Sequence, residues 1–166
     1  QLQSQGKRVK GVIRNPEKAN ALKQKGIEVA IADAFDEKAI QNAFEGGEAE
    51  LLLTPDMEKS NDLIADTKTI LRNYRHAVLK AGIPKIVGIS SMGAHLKGEI
   101  GNLKMSQLLE HTFADSELQQ IFVRPAYYYS NWLEMIDPVK ESGLLPTFFS
   151  PDQKMPMVSP MDIAGL

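Results

Sequence analysis

The chain has 166 residues, 43% hydrophobic and 24% charged, the make-up of a globular protein with one sizeable core. Lys and Arg number 19 against 21 Asp and Glu, and a net charge of −2 leaves no basic field to attract nucleic acid or an anionic membrane. The absence of cysteine excludes disulfides, thiolate metal sites and a cysteine nucleophile, and agrees with a reducing, cytoplasmic setting.

The opening QLQSQGKRVKG has no apolar core, and no apolar run approaches the roughly 18 residues of a membrane span, so neither a leader nor a span is expected. Residues 8–14 (RVKGVIR) predict a first strand. Asn15-Pro16-Glu17 then supplies a cap and an N1 proline for a helix to about Lys25, closed by Gly26. Residues 27–33 (IEVAIAD) predict the second strand, and Asp36 opens a helix with Ala39, Ile40, Ala43 and Phe44 on one face. Residues 49–54 (AELLLT) give a third strand, broken by Pro55. A long helix from about Asn61 to Lys80 follows, and residues 85–90 (KIVGIS) predict a fourth strand. The pattern continues with a helix over 102–114, a strand over 119–123 and a helix leading from the aromatic run 127–132 to about Ser142. Ser159-Pro160-Met161-Asp162 announces one more helix shortly before Leu166.

Strands separated by helices need crossover connections, which predicts a doubly wound parallel α/β sheet, Rossmann-like, as one domain over 1–166. The unbroken apolar run 51–53 predicts a sheet covered on both faces. In such folds ligands lie across the carboxyl ends of the strands, so the residues just after each strand carry the chemistry. Arg14 and Lys18 follow the first strand. They are either two solvated cations at a helix start or a site for a ribose 2′-phosphate, with Arg as a bidentate fork and Lys as a second charge. Asp33 either borders an adenine or caps a turn. Thr54 and Pro55 form a strand exit, and Ser90 and Ser91 offer hydroxyls at a strand end or simply make a turn. Lys104 either reaches a ribose or is solvated.

The runs VIRNPEKANALKQKGIEVAIADAFD, LLLTP, AGIPKIVGISSMGA, VRPAYYYSNW and PMVSPMDIA, with Lys104 between the third and fourth, resemble the NmrA-like branch of atypical short-chain dehydrogenases/reductases. That branch binds NADP(H) on a Rossmann fold and includes quinone oxidoreductases and redox-sensing regulators. The resemblance implies that Arg14 and Lys18 contact the 2′-phosphate and that Ala32 and Asp33 form the adenine-side turn. Thr54 and Pro55 fall on the nicotinamide side, Lys104 falls near the nicotinamide ribose, and Tyr128, Tyr129, Ser130 and Asn131 close over the nicotinamide end.

Two departures from the family follow. Its first strand and Gly-rich pyrophosphate turn do not occur in these residues, where residues 1–5 look like the tail of the next helix; a gap in the sheet, a missing C-terminal substrate portion and weak NADPH binding by this stretch alone are expected. A conventional member also carries Tyr four residues before the lysine, whereas Ile100 stands here, so proton donation by that route is closed.

His76, His95 and His111 lack metal-ligand spacing, and no metal site is expected. Only His95, in the loop after Ser91, is placed to orient an acceptor together with Ser90 and Ser91. Met155, Met157 and Met161 are either lining for an apolar pocket or core filler. The functional expectation is NADP(H)-dependent hydride transfer to a small quinone- or carbonyl-type acceptor, without nucleic-acid or membrane contact. The alternative is a non-catalytic NADP(H) sensor that acts through a regulatory partner; a homodimer is compatible with either.

Overall fold

β-Branched and apolar residues between the polar stretch that opens the chain and Asn15-Pro16 form a short strand, β1 (Lys10–Ile13), in the computed structural model, which describes residues 1–55, 57, 60–147 and 149–166. A 3-10 turn (Pro16–Lys18), capped by the Asn15 carboxamide accepting from Glu17 N at 2.9 Å, leads into α1 (Ala19–Lys23). Gly26, at φ 74°, ends this unit in the left-handed region that favours glycine. β2 (Glu28–Ile31) then pairs parallel to β1, with Lys10 opposite Glu28 and Ile13 opposite Ile31.

The Asp36 carboxylate caps α2 (Glu37–Phe44) by accepting from Ala39 N at 3.0 Å, and Ile40, Ala43 and Phe44 are buried as their spacing predicts. β3 (Glu50–Leu53) follows, and the 18-residue α3 (Leu63–Lys80) starts at an Asp62 cap rather than at Asn61. β4 (Lys85–Ile89), α4 (Leu103–Thr112) and β5 (Gln119–Val123) complete a second parallel sheet in the order β3-β4-β5. Gly88 lets the Phe122 ring pass close to β4, since a Cβ there would stand 2.4 Å from Phe122 Cδ1.

The core sits on one side of this sheet. Leu52, Ile86 and Ile83 meet Ile40, Ala43 and Phe44 of α2, Leu71, Ala77 and Val78 of α3, and Leu109 and Phe113 at the end of α4. The opposite side departs from the expected double covering. Leu51 and Leu53 are 59% and 50% exposed although Leu52 between them is buried, because α3 packs between α2 and α4 on the Leu52 side.

β1-β2 and β3-β4-β5 are separate sheets, split between β1 and β3 where the sequence predicts a gap. The aromatic run holds a feature that periodicity missed. β6 (Tyr127–Tyr128) pairs parallel with β7 (Met157–Val158), so only the residues from the 3-10 turn Tyr129–Met135 through α5 (Ile136–Ser142) are helical. Two-residue strands lie below the reach of any pattern. α6 (Pro160–Ala164) forms as predicted, with Ser159 Oγ accepting from Met161 N at 3.1 Å. Met161 is 74% and Met157 44% exposed, so neither is core filler.

Candidate functional site

The break between β1 and β3 leaves a gap of about 610 Å³, and the residues at its rim are the ones that follow the strand ends. Arg14, Asp33 and Pro55, each just beyond a strand end, line it together with Ala32 and Ala34. Arg14, Ala32 and Asp33, expected on the adenosine side, share this rim with Pro55, expected on the nicotinamide side, whereas Lys18 and Thr54 are not among its lining. Arg14 and Lys18 are exposed and neither forms an ion pair among the described residues. Lys18 stays in the first turn because Asn15 caps it, next to Glu17.

Of its two expected roles, Asp33 is seen in the turn-closing one. Its Oδ1 accepts from Phe35 N at 3.0 Å, closing an Asx turn and leaving Oδ2 for a ligand. Asn73 of α3 fastens the same turn from behind, donating to the carbonyls of Ala34 at 2.9 Å and Phe35 at 3.1 Å. Sequence reading passed over Asn73, though a carboxamide on a helix face shared with Ile70, Leu71 and Ala77 is the kind of polar intrusion that signals a tertiary bond.

Lys10 and Glu50, the first residues of β1 and β3, also line the cleft. Lys10 Nζ donates to the carbonyls of Ala43 and Glu45 at 3.1 and 2.9 Å. Burial pushes the Glu50 carboxyl up to about 7, against the lowering effect of Lys10. A raised native value means that stability is fully present below the ordinary carboxylate value of 4.5 and is lost as pH rises through about 7. Glu50→Gln is expected to stabilise the protein by about 1–2 kcal/mol at pH 8, after discounting for solvent screening, and by almost nothing at pH 5. Urea titrations at the two pH values test this, and equal shifts at both would contradict it.

The second group of predicted residues gathers around the end of β4 and α4. Ser90 is buried, and its Oγ donates to Glu110 Oε1 at 2.5 Å. Arg124, just beyond β5, grips the same carboxylate with two bonds of 2.8 and 2.6 Å. The Arg124 guanidinium first, and the Ser90 hydroxyl with it, hold the Glu110 carboxyl below its ordinary value despite its burial. The Ser90 proton is therefore committed to Glu110, and its oxygen is left to accept. Ser91 Oγ donates to Met92 O at 3.3 Å, His95 is exposed, and Lys104 Nζ donates to Gln107 Oε1 at 2.6 Å. Met92 N donates to Pro125 O at 2.9 Å and ties this loop to the segment that leads into β6.

There Tyr127 packs against Trp132 and Phe149, with ring centroids 5.8 and 5.6 Å away. Tyr129 is exposed, while Tyr128, Ser130 and Asn131 are half-buried. Burial pushes the Tyr128 phenol up, the opposite of what a proton-donating tyrosine beside a lysine needs. His76 has a partner that its local sequence does not reveal: Nδ1 lies 3.2 Å from Glu37 Oε1, across the α2-α3 interface. Among the described residues no group of His and acidic side chains could hold a metal ion, and no helix is long and apolar enough to cross a membrane.

The family described as NAD(P)H-binding matches residues 1–134. The chain belongs to that family. Its sequence is 29% identical over 133 residues to quinone oxidoreductase 2 of Escherichia coli K12, covering 80% of this chain and 44% of that protein. The chain thus spans less than half the length of that curated relative. The Escherichia coli NADPH-dependent quinone oxidoreductase in complex with NADPH superposes with a TM-score of 0.68 at 29% identity, over 81% of this chain and 45% of that one. The triphenylmethane reductase of Citrobacter sp. complexed with NADP(H) superposes at 0.66 with 23% identity, over 80% and 45%, and shows the shared fold.

The NAD(P)H-binding family agrees with an α/β protein of parallel sheets. Among the described residues Arg14 and Lys18 have no carboxylate partner, and Asp33 Oδ1 closes the turn on Phe35 N.

Proposed function

We propose that the protein is an NADP(H)-dependent oxidoreductase of the NmrA-like branch, acting in the cytoplasm on a small quinone- or carbonyl-type acceptor. The observation that carries this reading is the Arg14 and Lys18 pair at the exit of β1, two exposed cations that form no ion pair among the described residues. The reduced nicotinamide, when bound, supplies the hydride. Arg14 and Lys18 hold the 2′-phosphate, Asp33 and the turn fastened by Asn73 receive the adenosine, and Thr54 and Pro55 border the path toward the nicotinamide. Lys104, with Tyr128, Tyr129, Ser130 and Asn131, holds the nicotinamide end. Ser90, Ser91 and His95 orient the acceptor.

In this scheme Ser90 faces a ligand as an acceptor of hydrogen bonds, because its own proton goes to Glu110. His95 is exposed beside the Ser90-Ser91 strand end, and the proton that completes reduction comes through its imidazole or from solvent. The same observations favour a second reading, a non-catalytic NADP(H) sensor working through a protein partner or a homodimer. Ile100 stands where a proton-donating tyrosine would, and the Ser90 hydroxyl is committed elsewhere.

The test is NADPH binding by the full-length protein, followed by NADPH oxidation over a panel of quinones and small aldehydes. Oxidation about tenfold or more above background with at least one acceptor is expected. Tight binding with no turnover would support the sensor, and failure to bind NADPH would reject both readings.

A further inference from the structure

Lys104, Gln107 and Glu110 lie three residues apart on α4 and so share one face of the helix. Glu110 is taken up by Ser90 and Arg124, but no role proposed so far uses Gln107. Its carboxamide is nevertheless engaged on every side. Oε1 accepts from Lys104 Nζ at 2.6 Å, and Nε2 donates to the carbonyls of Ala94 and Leu96, both at 3.1 Å. A carboxamide has two N–H donors and one carbonyl, and here each has a partner. The two carbonyls it holds flank His95, which is exposed while Ala94 is buried. The turns inside this loop, Ala94 N to Ser91 O at 3.1 Å and Leu96 N to Gly93 O at 3.0 Å, shape it without attaching it to α4.

We infer that Gln107 is a positioning residue, which fixes Lys104 on the cofactor side and His95 on the acceptor side of the proposed hydride-transfer site in one relation to each other. The inference rests on that reading of the site. The Lys104 ammonium has three donors and Gln107 takes one, so two remain for a ligand. The residue type matters as much as its place. A carboxylate at position 107 would offset the charge of Lys104 and set an anionic oxygen against two carbonyl oxygens, which a neutral amide avoids.

The test compares the full-length protein with Gln107→Leu and Gln107→Glu. Amide exchange over residues 93–97 is followed without nucleotide, and NADPH affinity and acceptor kcat/KM are measured from pH 5 to 8. Gln107→Leu is expected to speed exchange of the Ala94 and Leu96 amides and to lower kcat/KM by about tenfold, the effect of losing one or two ordinary hydrogen bonds. Gln107→Glu is expected to be most impaired at pH 8 and to recover only in part as pH falls to 5, where the fraction of neutral carboxyl able to donate to one of the two carbonyls begins to rise. A contribution to folding alone would give a loss that does not follow pH.

Unchanged exchange in Gln107→Leu, or a Gln107→Glu pH profile parallel to that of the unmodified protein, overturns the inference while leaving NADPH binding intact. Should the unmodified protein itself fail to bind NADPH, the site reading falls and the inference falls with it.

Discussion

Replacing Arg14 by alanine is expected to weaken NADPH binding by about tenfold to a hundredfold and to leave NADH binding nearly unchanged. A hydrogen bond to a charged group contributes about 1.5–3 kcal/mol, and the two nucleotides differ only in the 2′-phosphate that such a bond would hold. Arg14 lines the cleft beside Asp33, a residue with the opposite preference. With one Asp33 oxygen closing the turn on Phe35 N, the other can accept from a ribose 2′-hydroxyl, which NADH has and NADPH lacks. The two cations, Arg14 and Lys18, outweigh the single acid, and removing Arg14 leaves one of each. Parallel titrations of the full-length variant with both nucleotides give the ratio directly, and a ratio equal to that of the unmodified protein would remove the phosphate role of Arg14.

Legibility divides by distance along the chain. Caps were readable at Asn15, Asp36 and Ser159 because each bonds an amide two or three residues on, inside the window that a local motif covers. Strands β1 to β5 and their crossovers were readable because apolar runs alternate with helical spacing. The partners that complete the site were not. Asn73 reaches 39 residues back to Ala34, and Arg124 reaches 14 residues back to Glu110. Ser90 was legible as a strand-end hydroxyl, but the direction of its hydrogen bond depends on Glu110, 20 residues on.

Gln107 lies between these cases. Its bond to Lys104 follows from three-residue helical spacing and could have been read, while its grip on both sides of His95 needed the fold of the loop. Which residues of β3 the described helices cover was not readable for a related reason. Leu51, Leu52 and Leu53 are chemically alike, and only the placement of α2, α3 and α4 decides which of them is covered.

The largest loss of stability is expected from Phe113→Ala, about 3–5 kcal/mol, the usual cost of truncating a fully buried aromatic ring. Phe113 is 0% exposed at the C-terminal end of α4, and its ring belongs to the cluster that joins α3, α4 and β4. Its carbonyl is a separate anchor, accepting from Ser116 N at 2.9 Å, Ser116 Oγ at 2.6 Å and Gln120 Nε2 at 2.8 Å, and it fixes the turn into β5. Alanine keeps that carbonyl, so the measured loss reports the ring and the cavity it leaves. A domain typically has only about 5–15 kcal/mol in reserve. A lowered urea midpoint with an unchanged slope is the expected signature. A change below about 1 kcal/mol would show that the ring is not a keystone of the α4 packing, and that Lys104, Gln107 and Glu110 are held in place by something other than the core beneath them.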